Sequence, residues 1–313
     1  MQEPRRGPGA GCRDPGCHVR HHRGAPGPRA HLTDRRPAPA GAGRIGAEPC
    51  RPPRVLPGCP HGCSVRPWGA GDQRVLGWGP SLDGDSVAVR LPGFGNPRPD
   101  DFNATKDAYA EWLVGELSQL DGPIDLVGHD WGALLVLRVA TAFPPVALRS
   151  WVVDVADIFH PDFRWHPRAQ LLQTPGAGEQ AMKSSRAAPP ESPDSFASRL
   201  AAAGVPAGQA GAMAAAHDET MSQCILDLYR SAVPNVAADW WADVTGPTRP
   251  AGLVLLLPDP PEDEARSLEV AHRLGAGTER MGDLEHCWMA EDPAGTAAML
   301  RRFWATVGGG GRG

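Results

Sequence analysis

Leu126-Val127-Gly128-His129-Asp130-Trp131-Gly132 is the stretch on which the reading of the fold turns. Residues 124–127 before it read as a short buried strand, and 132–143 as a helix stopped by Pro144-Pro145. Between strand and helix stands Gly-x-Asp-x-Gly. A bend that runs a strand straight into a helix crowds the backbone on both sides, so the positions flanking its central residue must be small. The central residue is held in strained backbone geometry, with its carboxylate at a helix N-terminus. There the dipole and the unpaired N–H groups favour the charged form. Aspartate before a helix is commonly only an N-cap. Two flanking glycines after an apolar strand favour the bend instead.

Outward from this point, strand-like and helix-like segments alternate. Residues 86–91 read as a strand, 92–99 as a Gly/Pro-rich turn, and 104–120 as an amphipathic helix carrying Tyr109, Trp112, Leu113, Leu117 and Leu120. Residues 148–155 and 252–257 read as strands, 263–274 as a helix, 278–281 as a weak strand and 293–307 as a closing helix. The alternation predicts an α/β fold with a parallel sheet. Its core is expected at 74–157 and 248–307, interrupted at 158–247 by a helical cap. A glycine-rich tail occupies 308–313.

The chain has 313 residues, 41% of them hydrophobic and 21% charged, enough apolar content for a sizeable core. No apolar run approaches the roughly 20 residues that span a bilayer, and no apolar signal region follows the first arginines. A cytoplasmic protein is expected. Residues 1–72 differ in texture, with 12 Arg, no Lys and 5 acids, a net +7 against −12 for the remainder. They hold 13 Pro, 13 Gly and five of the seven cysteines, and Trp68 as their one aromatic. Such a segment cannot offset its ordering entropy by apolar burial, so 1–73 is expected to be low-complexity and disordered. Its composition is that of a GC-rich message read out of frame. Cys12, Cys17, His18, Cys50, Cys59, His61 and Cys63 lack the paired spacing of zinc sites. The arginines lack the interleaved aromatics of a nucleic-acid surface, so no metal and no nucleic acid are expected as partners.

A carboxylate at such a bend needs partners, which in this topology follow in the order nucleophile, acid, histidine. Of the eleven histidines, His286 stands between the last strand and the last helix. Asp259, in Pro258-Asp259-Pro260-Pro261, follows the preceding strand and is the expected orienting acid. Asp154 and Asp157, after the strand before that, are the alternatives.

Gly128-His129-Asp130-Trp131-Gly132 resembles the same segment of epoxide hydrolases and haloalkane dehalogenases, the Asp-nucleophile branch of the α/β-hydrolase superfamily. Leu91-Pro92-Gly93-Phe94-Gly95 resembles that family's Pro-Gly-x-Gly turn. Residues 173–179 are similar to an epoxide-hydrolase cap segment, and Leu228-Tyr229-Arg230 to the one supplying a substrate-facing tyrosine. The resemblance covers roughly 78–307.

It implies an α/β-hydrolase fold and a covalent mechanism on a small apolar electrophile, an epoxide or a haloalkane. Asp130 attacks saturated carbon to give an alkyl-enzyme ester, and His286, oriented by Asp259, activates the water that cleaves it. The N–H of Trp131 is the expected oxyanion donor. No cofactor or metal is implied.

For an epoxide, the family's two cap tyrosines reduce here to Tyr229, the other position falling on Leu171, while Tyr109 lies in the wrong helix. For a halide, the N–H donors would be Trp131 and Trp165. Upstream of residue 78 the family carries a His-Gly-x-Pro loop, which only His61-Gly62-Cys63-Ser64 approximates. That lack motivates the rival reading, a catalytically impaired or binding-only relative.

Overall fold

The computed structural model describes residues 54–57, 86–120, 123–143, 147–248 and 250–308. Strands β1 (Arg54–Pro57), β2 (Ser86–Val89), β3 (Ile124–Gly128), β4 (Leu148–Val153), β5 (Ala251–Leu256) and β6 (Gly277–Arg280) form one sheet in the order β2-β1-β3-β4-β5-β6. Every pairing is parallel. Parallel neighbours need crossovers, and the helices supply them. They are α1 (Lys106–Leu117) and α2 (Trp131–Ala142), then α3 (Pro167–Gln173), α4 (Ala177–Ala187), α5 (Phe196–Ala202), α6 (Ala207–Ala215), α7 (Glu219–Arg230) and α8 (Ala237–Trp240), and finally α9 (Pro261–Leu274), α10 (Trp288–Glu291) and α11 (Pro293–Gly308).

Alternate residues of the strands point to opposite faces, and both faces are covered. Leu126, Trp151, Val153, Val254 and Leu256 pack with α1, α2 and α9. Val127, Val152, Leu253 and Leu255 pack with Trp288, Ala297, Leu300 and Trp304 of α10 and α11. Burial on both sides explains why β3 reads as a continuous apolar run rather than an alternation. Gly252 is required on β5 because the Trp151 indole lies across it; a Cβ there would stand 2.1 Å from the ring.

The expected α/β-hydrolase fold and the helical insert are both present. Most elements fall within one to three residues of their sequence-based bounds. The boundary expected at residue 74 is corrected: Arg54–Pro57 form a strand inside the sheet, between β2 and β3. A four-residue strand preceded by two prolines and ending in a third is too short to show a period, which is why the sequence pattern hides it. The cysteines and histidines weighed for zinc, the His61-Gly62 loop and Pro144-Pro145 lie outside the described residues.

The insert docks on the core through polar contacts and apolar packing. Ser231 Oγ accepts from the Lys106 amide at 2.8 Å, and Arg98 pairs with Asp227 at 3.0 Å. The turn after β2 approaches α7 so closely that a Cβ on Gly93, at φ +80°, would meet Cys224 Sγ at 2.3 Å. Tyr109 holds that turn by donating its hydroxyl to the Pro92 carbonyl. Its role in α1 is structural.

Register then fixes the site. Gly128 pairs with Val153, so the residues following β3 and β4 emerge side by side. Those following β5 and β6 emerge at the same edge. Loops at the carboxyl ends of parallel strands are where ligands bind in such sheets.

Candidate active site

Asp130 occupies the bend between β3 and α2 with φ +53° and ψ −125°, a conformation that side chains other than glycine rarely adopt. Its side chain makes no capping bond to the helix. The bend needs Gly128: a Cβ there would lie 2.5 Å from the Gly132 carbonyl oxygen and 2.7 Å from Ala133 Cα. Strain of this kind costs on the order of 1–3 kcal/mol and persists only where surrounding packing enforces it. The enforcement here is a buried acid: Asp154 Oδ1 accepts the Asp130 amide at 2.9 Å.

Asp154 follows β4 and is completely buried. Its Oδ2 also accepts Trp288 Nε1 at 2.7 Å and pairs with His129 Nδ1. Burial pushes its carboxyl up, but the His129 imidazole, the charge of His286 and the Trp288 indole outweigh that and hold it below the usual aspartate value.

The loop after β6 brings His286 to Asp130, with Nε2 3.6 Å from Oδ2 and its ring 4.6 Å from that of His129. Burial acts to lower the His286 pKa. The Asp130 carboxylate, with Asp154 beyond it, overrides burial and the opposing His129 ring and pushes it up to about 9. At neutral pH the resting arrangement is therefore a carboxylate beside an imidazolium.

Asp259, expected from the sequence to orient His286, lines the same cavity but forms no hydrogen bond to it among the described residues. Burial and neighbouring Asp263 and Asp154 raise its pKa, as does Glu264, against the charge of His286. Asp157 lines the cavity too, buried and pushed up to about 7 by burial and by Asp263 and Asp259. Of the three candidate acids, Asp154 alone is bonded into the bend.

The cavity, about 530 Å³, lies between the sheet edge and the insert. Phe163, Trp165, Leu172, Ile225 and Tyr229 make its apolar wall. Trp131 stacks on Trp165 with ring centres 5.7 Å apart, and Tyr229 meets both edge-on at 5.3 and 5.4 Å. Trp165 does not serve as the N–H donor the sequence suggested. Its indole donates to the Ala232 carbonyl at 2.9 Å, so only the ring faces the cavity. Trp131 opens α2, so its amide lies at the helix N-terminus directly after the bend. Sequence reasoning missed His129 and Trp288 as partners of Asp154, and three cavity arginines. No local pattern marks these, because each role depends on contacts between distant segments.

The sequence model of the alpha/beta hydrolase family matches residues 55–299. The chain belongs to the alpha/beta hydrolase family. No curated protein matches this family member by sequence. Among solved structures it is similar to a Pseudomonas aeruginosa protein assigned as an epoxide hydrolase, with a TM-score of 0.61 and 19% identity over 82% of this chain and 89% of that one. A loop variant of a haloalkane dehalogenase from Bradyrhizobium elkanii gives 0.58 and 16%, over 85% and 91%. NosK from Streptomyces actuosus gives 0.54 and 19%, over 82% and 99%. At these identities the likeness shows that this hydrolase-family chain shares their fold.

Proposed function

We propose that the chain is a hydrolase acting on a small electrophile through an ester of Asp130. The observation that carries this reading is a carboxylate on a positive-φ bend, facing a histidine from the last crossover at 3.6 Å. A carboxylate is ill suited to ordinary acyl transfer, because its mixed anhydride is at least as reactive as the substrate ester. It is well suited to displacement at saturated carbon. Asp130 forms a C–O bond as the carbon–oxygen bond of an epoxide, or a carbon–halogen bond, breaks and the leaving group takes the electron pair.

Ester formation removes the Asp130 charge, and with it the main reason for the high His286 pKa. Burial then dominates, and the imidazole sheds its proton to solvent and becomes a base. It takes a proton from water as the water oxygen attacks the Asp130 carboxyl carbon. The Trp131 amide faces the oxyanion, which collapses as the imidazolium returns its proton to the departing alkoxide; the alcohol leaves, and the carboxyl passes its remaining proton to the imidazole, restoring the carboxylate and the imidazolium. Asp154 is the acid of this reading: it fixes the Asp130 backbone, and its charge supports the imidazolium.

Trapping tests it. In His286→Gln the ester should accumulate and add the mass of the substrate's alkyl portion to the Asp130 peptide on exposure to an epoxide or a haloalkane. Halide release against diol formation separates the two chemistries. No adduct with either would favour the binding-only reading.

The small molecule is the partner in this reading, and the setting is cytoplasmic. The buried free thiols of Cys224 and Cys287 support a reducing compartment. No helix among the described residues is long and apolar enough to cross a membrane.

A further inference from the structure

Eight other described arginines each hold a carboxylate in an ion pair. The three that line the cavity, Arg164, Arg168 and Arg199, hold none among the described residues. Among the described residues Arg164 and Arg199 donate only to the Phe163 and Asp194 carbonyls and the Ser185 hydroxyl, and Arg168 makes no hydrogen bond. These cations stand on the insert side of the cavity, opposite the acids that follow β4 and β5.

We propose that the cavity takes a carboxylate-bearing electrophile, whose anionic end is held by Arg168 and Arg199 while Asp130 attacks its electrophilic carbon. This rests on the Asp130 ester reading and names its substrate class. A nucleophile that is itself a carboxylate repels such a substrate, so recognition needs positive charge within reach of both. The structure supplies it; Asp194 acts on Arg168 and Arg199 alike and offsets that charge only in part. His166, at the start of the helix that carries Arg168, lines the cavity together with Asp130, Arg168 and Arg199, so the nucleophile and the arginines open on the same space.

Burial lowers the Arg199 pKa to about 10, with Arg168 adding to the effect and Asp194 partly offsetting it. Two guanidinium groups that crowd each other this way are relieved by an anion between them. The opposing acids compete weakly. Asp263 is paired with Arg266, and Asp157 is partly neutral at physiological pH. A neutral epoxide or haloalkane would gain nothing from these arginines.

The test uses matched probes, chloroacetate against chloroacetamide and glycidate against glycidamide, on the full chain. In His286→Gln, the rate of adduct formation on Asp130 should favour the acid over the amide at least tenfold. Adding Arg168→Glu should cut that ratio at least tenfold, and adding Arg199→Gln should also lower it. Arg168 is exposed and makes no hydrogen bond among the described residues, so its replacement should leave the fold intact.

Calorimetric titration of the wild-type chain with unreactive propionate and propionamide is the second arm. Propionate should bind at least tenfold more tightly, and Arg168→Glu should abolish the difference. Propionate binding through Arg168 with no adduct from any probe would leave the anion site standing and overturn the ester reading. Adducts from the amides at rates equal to or above those of the acids would do the reverse. Silence in both arms, or ratios unmoved by both arginine variants, overturns the proposal.

Discussion

At the scale of single residues, Asp130 and His286 form one titrating unit rather than two. The imidazole is raised to about 9 because the carboxylate faces it, while burial acts the other way. In Asp130→Asn the raising partner is gone and burial remains. His286 should then titrate below its ordinary 6.5, as read by NMR of the imidazole resonances; a value still near 9 would mean that another group supplies the charge.

Asp154 and Asp259 separate in the same manner. Asp154→Ala strands the Asp130 amide, His129 and Trp288 without their acceptor. Breaking such a buried arrangement costs about 3–5 kcal/mol, visible in urea melts, with turnover lost. Asp259→Asn removes a partly exposed carboxyl with no bond to His286, and should leave stability within about 0.5 kcal/mol.

The residues legible in the sequence were those whose chemistry coincides with a place in the chain: Asp130 between two glycines, His286 before the last helix. The identity of the bonded acid was not legible. Asp154 and Asp259 both follow strands, and only the donors converging on Asp154 from the β3–α2 bend and from α10 distinguish them. Trp165 misled for the same reason, since the carbonyl that takes its N–H belongs to Ala232, at the far end of the insert.

At the scale of elements, the bend is a packing problem before it is a chemical one. Only His129 and Asp130 separate β3 from α2, and the Gly132 carbonyl and Ala133 Cα occupy the space a Gly128 side chain would need. Gly128→Ala should cost about 1–3 kcal/mol. It should also lower the trapped-ester yield in a His286→Gln background, because relief of the clash moves Asp130. A fully active, fully stable Gly128→Ala would show that the bend tolerates a Cβ.

The longer helices α1, α2, α9 and α11 were legible because each runs for three or more turns between clear boundaries, such as the glycine bend before α2 and the prolines after it. β1 was not, for four residues carry no period, and its membership of the sheet is decided by its neighbours β2 and β3. The insert was legible as helical, but its division into six short helices was not. Helices of four to twelve residues among Ala, Gly and Pro owe their ends to packing as much as to capping residues.

At the scale of the whole molecule, two crossovers converge on one cavity and carry acids into it. Asp157 reaches it from the turn after β4, tied by its amide to Ser267 Oγ of α9 at 3.0 Å, while Asp259 comes from the β5–α9 connection and Asp263 from the first turn of α9. Their crowding makes stability depend on pH in a definable direction. Asp157 titrates at 3.8 in the unfolded chain and about 7 in the folded one, so between these values the folded state holds a proton that the unfolded state has lost. Stability attributable to this group therefore falls as pH rises from about 4 to 7, and is level above. His286, raised from 6.5 to about 9, extends the decline with the same sign over the next window.

Asp157→Asn removes the first of these slopes and leaves the second. Urea melts at pH 5 and pH 8 should show the variant gaining on the wild-type chain at pH 8 and not at pH 5. Each kcal/mol gained appears as roughly 2–4 °C in melting temperature for a domain of this size. The gain is confined to the alkaline side because only there does the folded molecule hold three carboxylates together against their mutual repulsion. An equal effect at both pH values would place the origin of Asp157's influence in packing against α9 rather than in charge.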